Sequence, residues 1–509
     1  MDTNIKHAGG GTAENGAKYY PNSAEKAYSE HSHANAAKIP KRVLSSLISS
    51  LMAGVVPRLG APYIAIGRND EINALLSDLT EVGEGGSSMR FIIGKYGSGK
   101  SFLMQLIRAY SLESGFVTCD CDLSPQRRIC GTHGAGIATY RELLRNMASK
   151  AAPAGGAMSQ IVAKWLNDVK IKTALNGYAP DSEEFFTQLE KTVIEAVRKS
   201  EDRVGGFDFA CVLTEYYRAY KNDDEEKKSA CLRWMRGEYS NKTEAREAVG
   251  IRLSGIIDDE NWYDYIKLWA AFLREIGYKG LVVFIDECVN LYKIPNRVSR
   301  ENNYEKILTM FNDTLGGKAE GLEIVFGGTP QFLEDTRRGL FSYEALKSRL
   351  EDSRFSSEEY RNLISPVIRL RRLSDNELFA LIARLTLLFE QYHGKEMNIS
   401  EKEMAYFLEV CTQRAGAEML ITPREVIRDY ITVMNILLQN PEVGFEEVIK
   451  KLKKGSGESK DGALSPDGET PVGETPAGET PAEESPYRQP FSGASKKDAA
   501  DFDPTEIEF

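Results

Sequence analysis

Apolar residues along this chain follow two rhythms. Short, nearly unbroken runs predict strands: Phe91-Ile92-Ile93, Phe116-Val117-Thr118-Cys119, Leu281-Val282-Val283-Phe284-Ile285, Leu322-Glu323-Ile324-Val325-Phe326 and Val367-Ile368-Arg369-Leu370. Five apolar residues in a row, as at 281–285, are what a strand buried on both faces of a parallel sheet requires. Elsewhere the spacing is three and four. Val43, Leu44, Leu47, Ile48 and Leu51 share one face of a helix that follows Pro40, and Leu378, Leu381, Ile382 and Leu385 do the same after Ser374. Ser374 with Glu377 three positions on is a helix-start signature, as is Thr422-Pro423 before Arg424. Alternating strands and helices predict an α/β fold with a parallel sheet.

The interval between Pro125 and Leu281, about 155 residues, far exceeds what a strand-to-strand crossover needs. Its helical pieces, around Tyr140–Met147, Ile161–Leu166, Phe185–Leu189 and Leu268–Leu273, predict a helical insertion over about 136–275, with loops at Gly155-Gly156 and Gly205-Gly206. Trp165, Trp234, Trp262 and Trp269 are core aromatics of that insertion or a ligand platform. Residues 1–38 lack apolar patterning and predict a disordered start. Residues 39–370 then form the core and 371–454 a helical lid. Residues 455–499 carry Gly-Glu-Thr-Pro three times, from Gly468, Gly473 and Gly478, and predict a disordered acidic linker. The segment 500–509 restores Phe502, Ile507 and Phe509 among acids, which makes it either a docking peptide for a partner or a neighbouring copy, or a frayed end.

The chemistry begins where the first apolar run ends. Gly94-Lys95-Tyr96-Gly97-Ser98-Gly99-Lys100-Ser101 satisfies G-x-x-x-x-G-K-[ST] between a strand and a helix opening at Phe102. Glycines let the backbone curl its N–H groups around phosphate, the helix start adds its positive dipole end, Lys100 offers a mobile cation, and Ser101 a hydroxyl for Mg²⁺. The run 281–285 ends in Asp286-Glu287, the pattern in which one carboxylate holds the metal and the next activates water. Thr329, at the end of the 322–326 run, is placed to position that water.

Upstream, Ile64-Ala65-Ile66-Gly67-Arg68 before a helix start at Asn69 or Asp70 resembles the segment that lies against adenine in AAA+, origin-recognition and STAND ATPases; Ile66 and Gly67 are its contacts. Arg337, Arg338 and Arg349 lie in the segment before the last strand, and Ser348-Arg349 resembles the Ser-Arg pair of clamp-loader-type ATPases, whose arginine reaches a neighbour's nucleotide. A surface ion pair is the other reading for each. Arg424, or Arg428 one turn on, stands where a lid arginine touches the γ-phosphate.

Composition narrows the setting. The 509 residues are 42 % hydrophobic, with no run near the ~18 apolar residues of a membrane helix. No signal peptide is expected at the start. The net charge of −11 is concentrated: 13 Asp/Glu against 4 Lys/Arg between 455 and 509 leave the body nearly neutral, without a global field for nucleic acid. Seven scattered cysteines suit a cytoplasmic protein, and Cys119 and Cys121, in an apolar run without further ligands, suit packing better than metal.

Taken together, Ile39-Pro40-Lys41-Arg42, Gly54-Val55-Val56-Pro57-Arg58, the phosphate loop, Asp122-Leu123-Ser124-Pro125, Ile285-Asp286-Glu287, Gly328-Thr329-Pro330 and the 337–349 arginines resemble the P-loop ATP-binding proteins of bacterial BREX-type phage-defence loci, the BrxD-like family, over roughly 39–450. The resemblance implies ATP and Mg²⁺ as cofactors and other defence proteins as partners. It fits an AAA+-like ATPase acting as a switch or motor, as an ATP-dependent homo-oligomer or with DNA. The alternative is a nucleotide-gated adaptor without turnover.

Overall fold

The structure, a computed structural model, describes residues 39–455 apart from 132–133, 181, 199–203, 353–360 and 415–421. The expectations for 1–38, for 456–499 and for the peptide 500–509 lie outside the described residues.

Five strands, β1 (Ser88–Ile93), β2 (Val117–Asp122), β3 (Leu281–Asp286), β4 (Leu322–Gly328) and β5 (Val367–Arg369), form one sheet in the order β2-β3-β4-β1-β5. All neighbours are parallel. The register aligns their carboxyl ends, with Asp122 beside Asp286 and Ile93 beside Gly328. Loops leaving those ends therefore meet in one place, where ligands bind in such sheets.

The helices are α1 (Lys41–Met52), α2 (Asn69–Gly83), α3 (Lys100–Glu113), α4 (Ala135–Arg145), α5 (Met158–Leu175), α6 (Glu183–Arg198), α7 (Gly206–Lys221), α8 (Glu225–Met235), α9 (Lys242–Val249) and α10 (Trp262–Glu275). They continue with α11 (Val289–Tyr292), α12 (Arg297–Leu315), α13 (Pro330–Glu334), α14 (Glu344–Leu350), α15 (Asp375–His393), α16 (Glu401–Arg414), α17 (Pro423–Gln439) and α18 (Phe445–Gly455). Strand alternation sends Ile92, Val282, Phe284 and Val325 to one face, where Leu75, Leu79, Leu106 and Ile107 of α2 and α3 cover them. Phe91, Val283, Ile285 and Ile324 face the other way, into a core shared with α4 to α10 and α12.

Helices α4 to α10 fill the interval between β2 and β3. Their tryptophans are buried, and three indole N–H groups donate within the protein: Trp269 to the Tyr140 hydroxyl at 3.2 Å, Trp262 to the Ile129 carbonyl at 3.2 Å and Trp234 to the Gly255 carbonyl at 3.4 Å. So buried, the four side chains serve as core and not as an exposed platform. Cys119 and Cys121 are likewise buried, with burial raising both thiols and bringing Cys121 to about 12.

A third cluster is built by α15 to α18. Capping boxes start α15 (Ser374 with Glu377) and α17 (Thr422 with Glu425, Pro423 in the first turn). The apolar stripe of α1, grouped with the core from sequence, packs here instead: Leu44, Leu47, Ile48 and Leu51 join Leu381, Ile382, Tyr430 and Met434. Periodicity shows that such a stripe must be covered but not by which partner. None of the described helices is long and apolar enough to cross a membrane.

Candidate functional site

A cavity of about 140 Å³ opens where the carboxyl ends of the sheet meet the C-terminal helices. One end is polar, formed by Tyr96, Gly97, Ser98, Gly99, Lys100, Ser101, Glu287 and Arg424. The other is apolar, walled by Val55, Val56 and Pro57, by Ile64 and Ile66, and by Leu373, Leu381 and Ile427. Phe102 bridges the two, touching both the α2–α3 core and the helical cluster.

Each turn of the loop has a steric reason. A Cβ on Gly94 would stand 2.4 Å from the Ser98 hydroxyl, and one on Gly97, at φ +75°, would stand 2.6 Å from Thr422 of the α17 cap. Gly99, at φ +93°, turns the chain into α3. The Lys100 ammonium donates to the carbonyls of Gly94 at 3.0 Å and Lys95 at 3.1 Å. Burial lowers its pKa, while Asp286 and Glu287 pull it back up. Ser101 Oγ donates to Asp286 Oδ2 at 2.5 Å, and the other carboxylate oxygen accepts the Glu287 N–H at 2.8 Å.

Glu287 itself has φ +57°. A non-glycine residue in the left-handed region costs about 1–3 kcal/mol and is held there by its surroundings, a strain that concentrates at working sites. Here it turns the chain sharply after Asp286, and Glu287 is exposed and lines the cavity.

Two residues of the site are given no role by the sequence, although Asp122 opens the Asp122-Leu123-Ser124-Pro125 stretch named above. Asp122, in register with Asp286, adds a third carboxylate; although it keeps solvent contact, desolvation and then Asp286 and Glu287 raise its pKa. Gly327 of β4 makes room for Asp286, whose Oδ1 lies 2.3 Å from where a Cβ would sit. An acidic residue ending a strand is common enough that only the register singles out Asp122.

The remaining expected residues divide. Ile66 lines the cavity; Gly67, at φ +74°, lies outside the lining and is pressed against Glu377 and Leu373. Arg424 lines the polar end, with its guanidinium 5.3 Å from the Tyr96 ring centre and Nη1 donating to the Tyr96 hydroxyl at 3.1 Å. Arg428 points elsewhere, to Asp429 at 3.5 Å. Thr329 caps α13, accepting the Phe332 N–H at 3.3 Å, and does not line the cavity. Arg338, half-buried, donates to the Ile294 carbonyl at 3.3 Å, its guanidinium 5.3 Å from the Tyr292 ring centre, and does not line the cavity. Arg337 and Arg349 are exposed and off the cavity; Arg349 donates to the Ala345 carbonyl of its own helix at 2.7 Å.

A family model described as BREX system ATP-binding protein BrxC/D matches residues 39–453. The chain belongs to that family. Comparison with curated proteins finds no significant match. Membership makes this BrxC/D chain an ATP-binding protein of a BREX defence system. The match spans the sheet, the insertion and the helical cluster together, so the apolar and polar walls of the cavity both fall within it.

Proposed function

We propose that this BrxC/D chain binds Mg·ATP in the cavity, phosphates on the 94–101 loop and base against the apolar wall, and hydrolyses it. One observation carries the reading: a phosphate cradle and an exposed, backbone-strained carboxylate, Glu287, share a cavity whose far end is apolar. Asp286 Oδ2 and Ser101 Oγ, already 2.5 Å apart, fit a divalent cation, which would neutralise charge on the phosphates. Glu287 would accept the proton of the attacking water; Thr329, at the carboxyl end of the central strand but outside the cavity lining, would orient that water only after a local rearrangement. The core is AAA+-like in this reading, since β4 stands between the loop strand and the acidic strand.

The C-terminal helices act as a lid. Thr422 on Gly97 and Arg424 on Tyr96 are direct contacts between lid and loop, so a change at the phosphates reaches the helical cluster. In this reading the protein is a cytoplasmic switch or motor for other defence proteins and the DNA they act on, with the 500–509 peptide as one docking element. Arg349 and Arg337, exposed and unneeded in their own cavity, serve a neighbouring subunit in an ATP-dependent oligomer. The same contacts would serve a gated adaptor without turnover. Steady-state phosphate release, with and without DNA and partner proteins, decides: release that Glu287→Gln abolishes supports the ATPase, and none under any condition supports the adaptor. An Arg349→Ala chain mixed with a Glu287→Gln chain should regain activity at hybrid interfaces.

A further inference from the structure

The crest of the phosphate loop is held from outside by one buried arginine. Ser98 has no hydrogen-bond partner for its hydroxyl among the described residues, and its N–H turns inward to the Lys95 carbonyl at 3.2 Å. Its carbonyl, however, accepts from Arg68 Nη2 at 3.0 Å. Arg68 is 4 % exposed and lines the cavity. A guanidinium so deeply placed needs a counter-charge. Glu71, 1 % exposed, supplies it at 3.4 Å, and the same Glu71 oxygen accepts from Arg361 at 2.9 Å. Arg361 in turn donates to the Arg369 carbonyl at the end of β5, 3.0 Å away.

A trans peptide plane points its C=O and N–H in opposite directions. Anchoring the Ser98 carbonyl on Arg68 therefore fixes the direction of the Gly99 N–H, one of the donors with which such a loop meets phosphate. Gly99, free of a Cβ and with nothing within 4 Å of where one would be, has no side-chain packing to hold that plane. We infer that Arg68 is a positioning residue for nucleotide: it orients the Ser98–Gly99 peptide for the phosphates, and Glu71 with Arg361 keys it to the end of β5. The inference rests on the nucleotide reading of the cavity.

The test separates positioning from mere stability. In the full-length protein, Mg·ATP affinity by calorimetric titration and thermal midpoint without nucleotide are measured for wild type, Arg68→Gln, Arg68→Lys, Glu71→Gln and Lys100→Ala. Glu71 serves two arginines, so Glu71→Gln should lower the thermal midpoint most. Among the Arg68 and Glu71 variants, Arg68→Gln should lower affinity most, by roughly ten-fold or more, as expected for losing a charged hydrogen bond. Arg68→Lys, which keeps the charge for Glu71 but not the fork, should fall between wild type and Arg68→Gln. Arg68→Gln binding as wild type, or affinity losses that follow the order of the thermal midpoints, overturns the inference while leaving the cavity assignment standing. Equal binding by wild type and Lys100→Ala, or no binding by wild type, overturns the cavity assignment and this inference with it.

Discussion

The two ends of one sheet use charge in opposite ways. At the carboxyl ends, Asp122, Asp286 and Glu287 gather near Lys100 and Ser101, and the bonds among them are ones an incoming ligand can replace: a hydroxyl on a carboxylate, an ammonium on two carbonyls. At the amino ends, Arg90 of β1 makes two 2.6 Å bonds to Asp78 of α2 through Nε and Nη2, and its Nη1 donates among the carbonyls of Leu363, Ile364 and Ser365. Beside them Glu323 of β4 is 0 % exposed, and neither of its oxygens has a partner among the described residues. Charge marks a site where it comes with a cavity and exchangeable partners; the sealed end has neither.

The sharpest way to break this contrast is Lys100→Ala, which should abolish Mg·ATP binding by titration; undiminished affinity would remove the functional meaning of the carboxyl end. Glu287→Gln should keep binding yet lose ~10²–10⁴ in phosphate release, because the cradle and Asp286 remain. At the other end Asp78→Asn strands the Arg90 charge and should cost about 3–5 kcal/mol in urea unfolding, with ATP affinity unchanged. Loss of affinity there would show that the two ends are not independent.

The smallest effect concerns pH. Burial holds the Glu323 carboxyl well above its ordinary value, with Asp78 adding to the rise and Arg90 opposing it. The folded chain therefore keeps this proton after the unfolded chain has released it. The contribution is fully present below the unfolded value, near ~4.3, and is lost as pH climbs towards the folded one. Glu323→Met, which replaces an unpartnered polar group by an apolar one of similar length, should stabilise by about 1–3 kcal/mol at pH 7–8 and by less near pH 4. A gain independent of pH in thermal melts would mean that the carboxyl is not the cause.

The parts of the fold that could be read in advance are local. The 94–101 loop, the strand ending in Asp286-Glu287 and the caps at Ser374 and Thr422 each depend on residues a few positions apart, and each appears where its pattern stands. What could not be read depends on distant neighbours. Nothing near Arg68 announces Ser98, nothing near Tyr96 announces Arg424, and Gly327 is legible as necessary only once Asp286 lies against it. Arg338 shows the converse: a cation in a suggestive segment, committed by packing to Ile294 and Tyr292. The destination of α1 was hidden for the same reason.

That destination has a temporal side. Helix α1 leaves the ribosome about 320 residues ahead of α15, the first of its covering helices. At ~5–20 residues per second its apolar stripe waits roughly 15–65 s for a partner. The sheet is complete at Arg369, so the growing chain has all five strands and the 94–101 loop shortly before Leu373, Leu381 and Ile427, the last part of the cavity's apolar lining, emerge. Synthesis itself thus orders the events: the cavity proposed for nucleotide is complete only once Leu373, Leu381 and Ile427 have emerged, and ATP bound there would stabilise the finished chain over the half-made one.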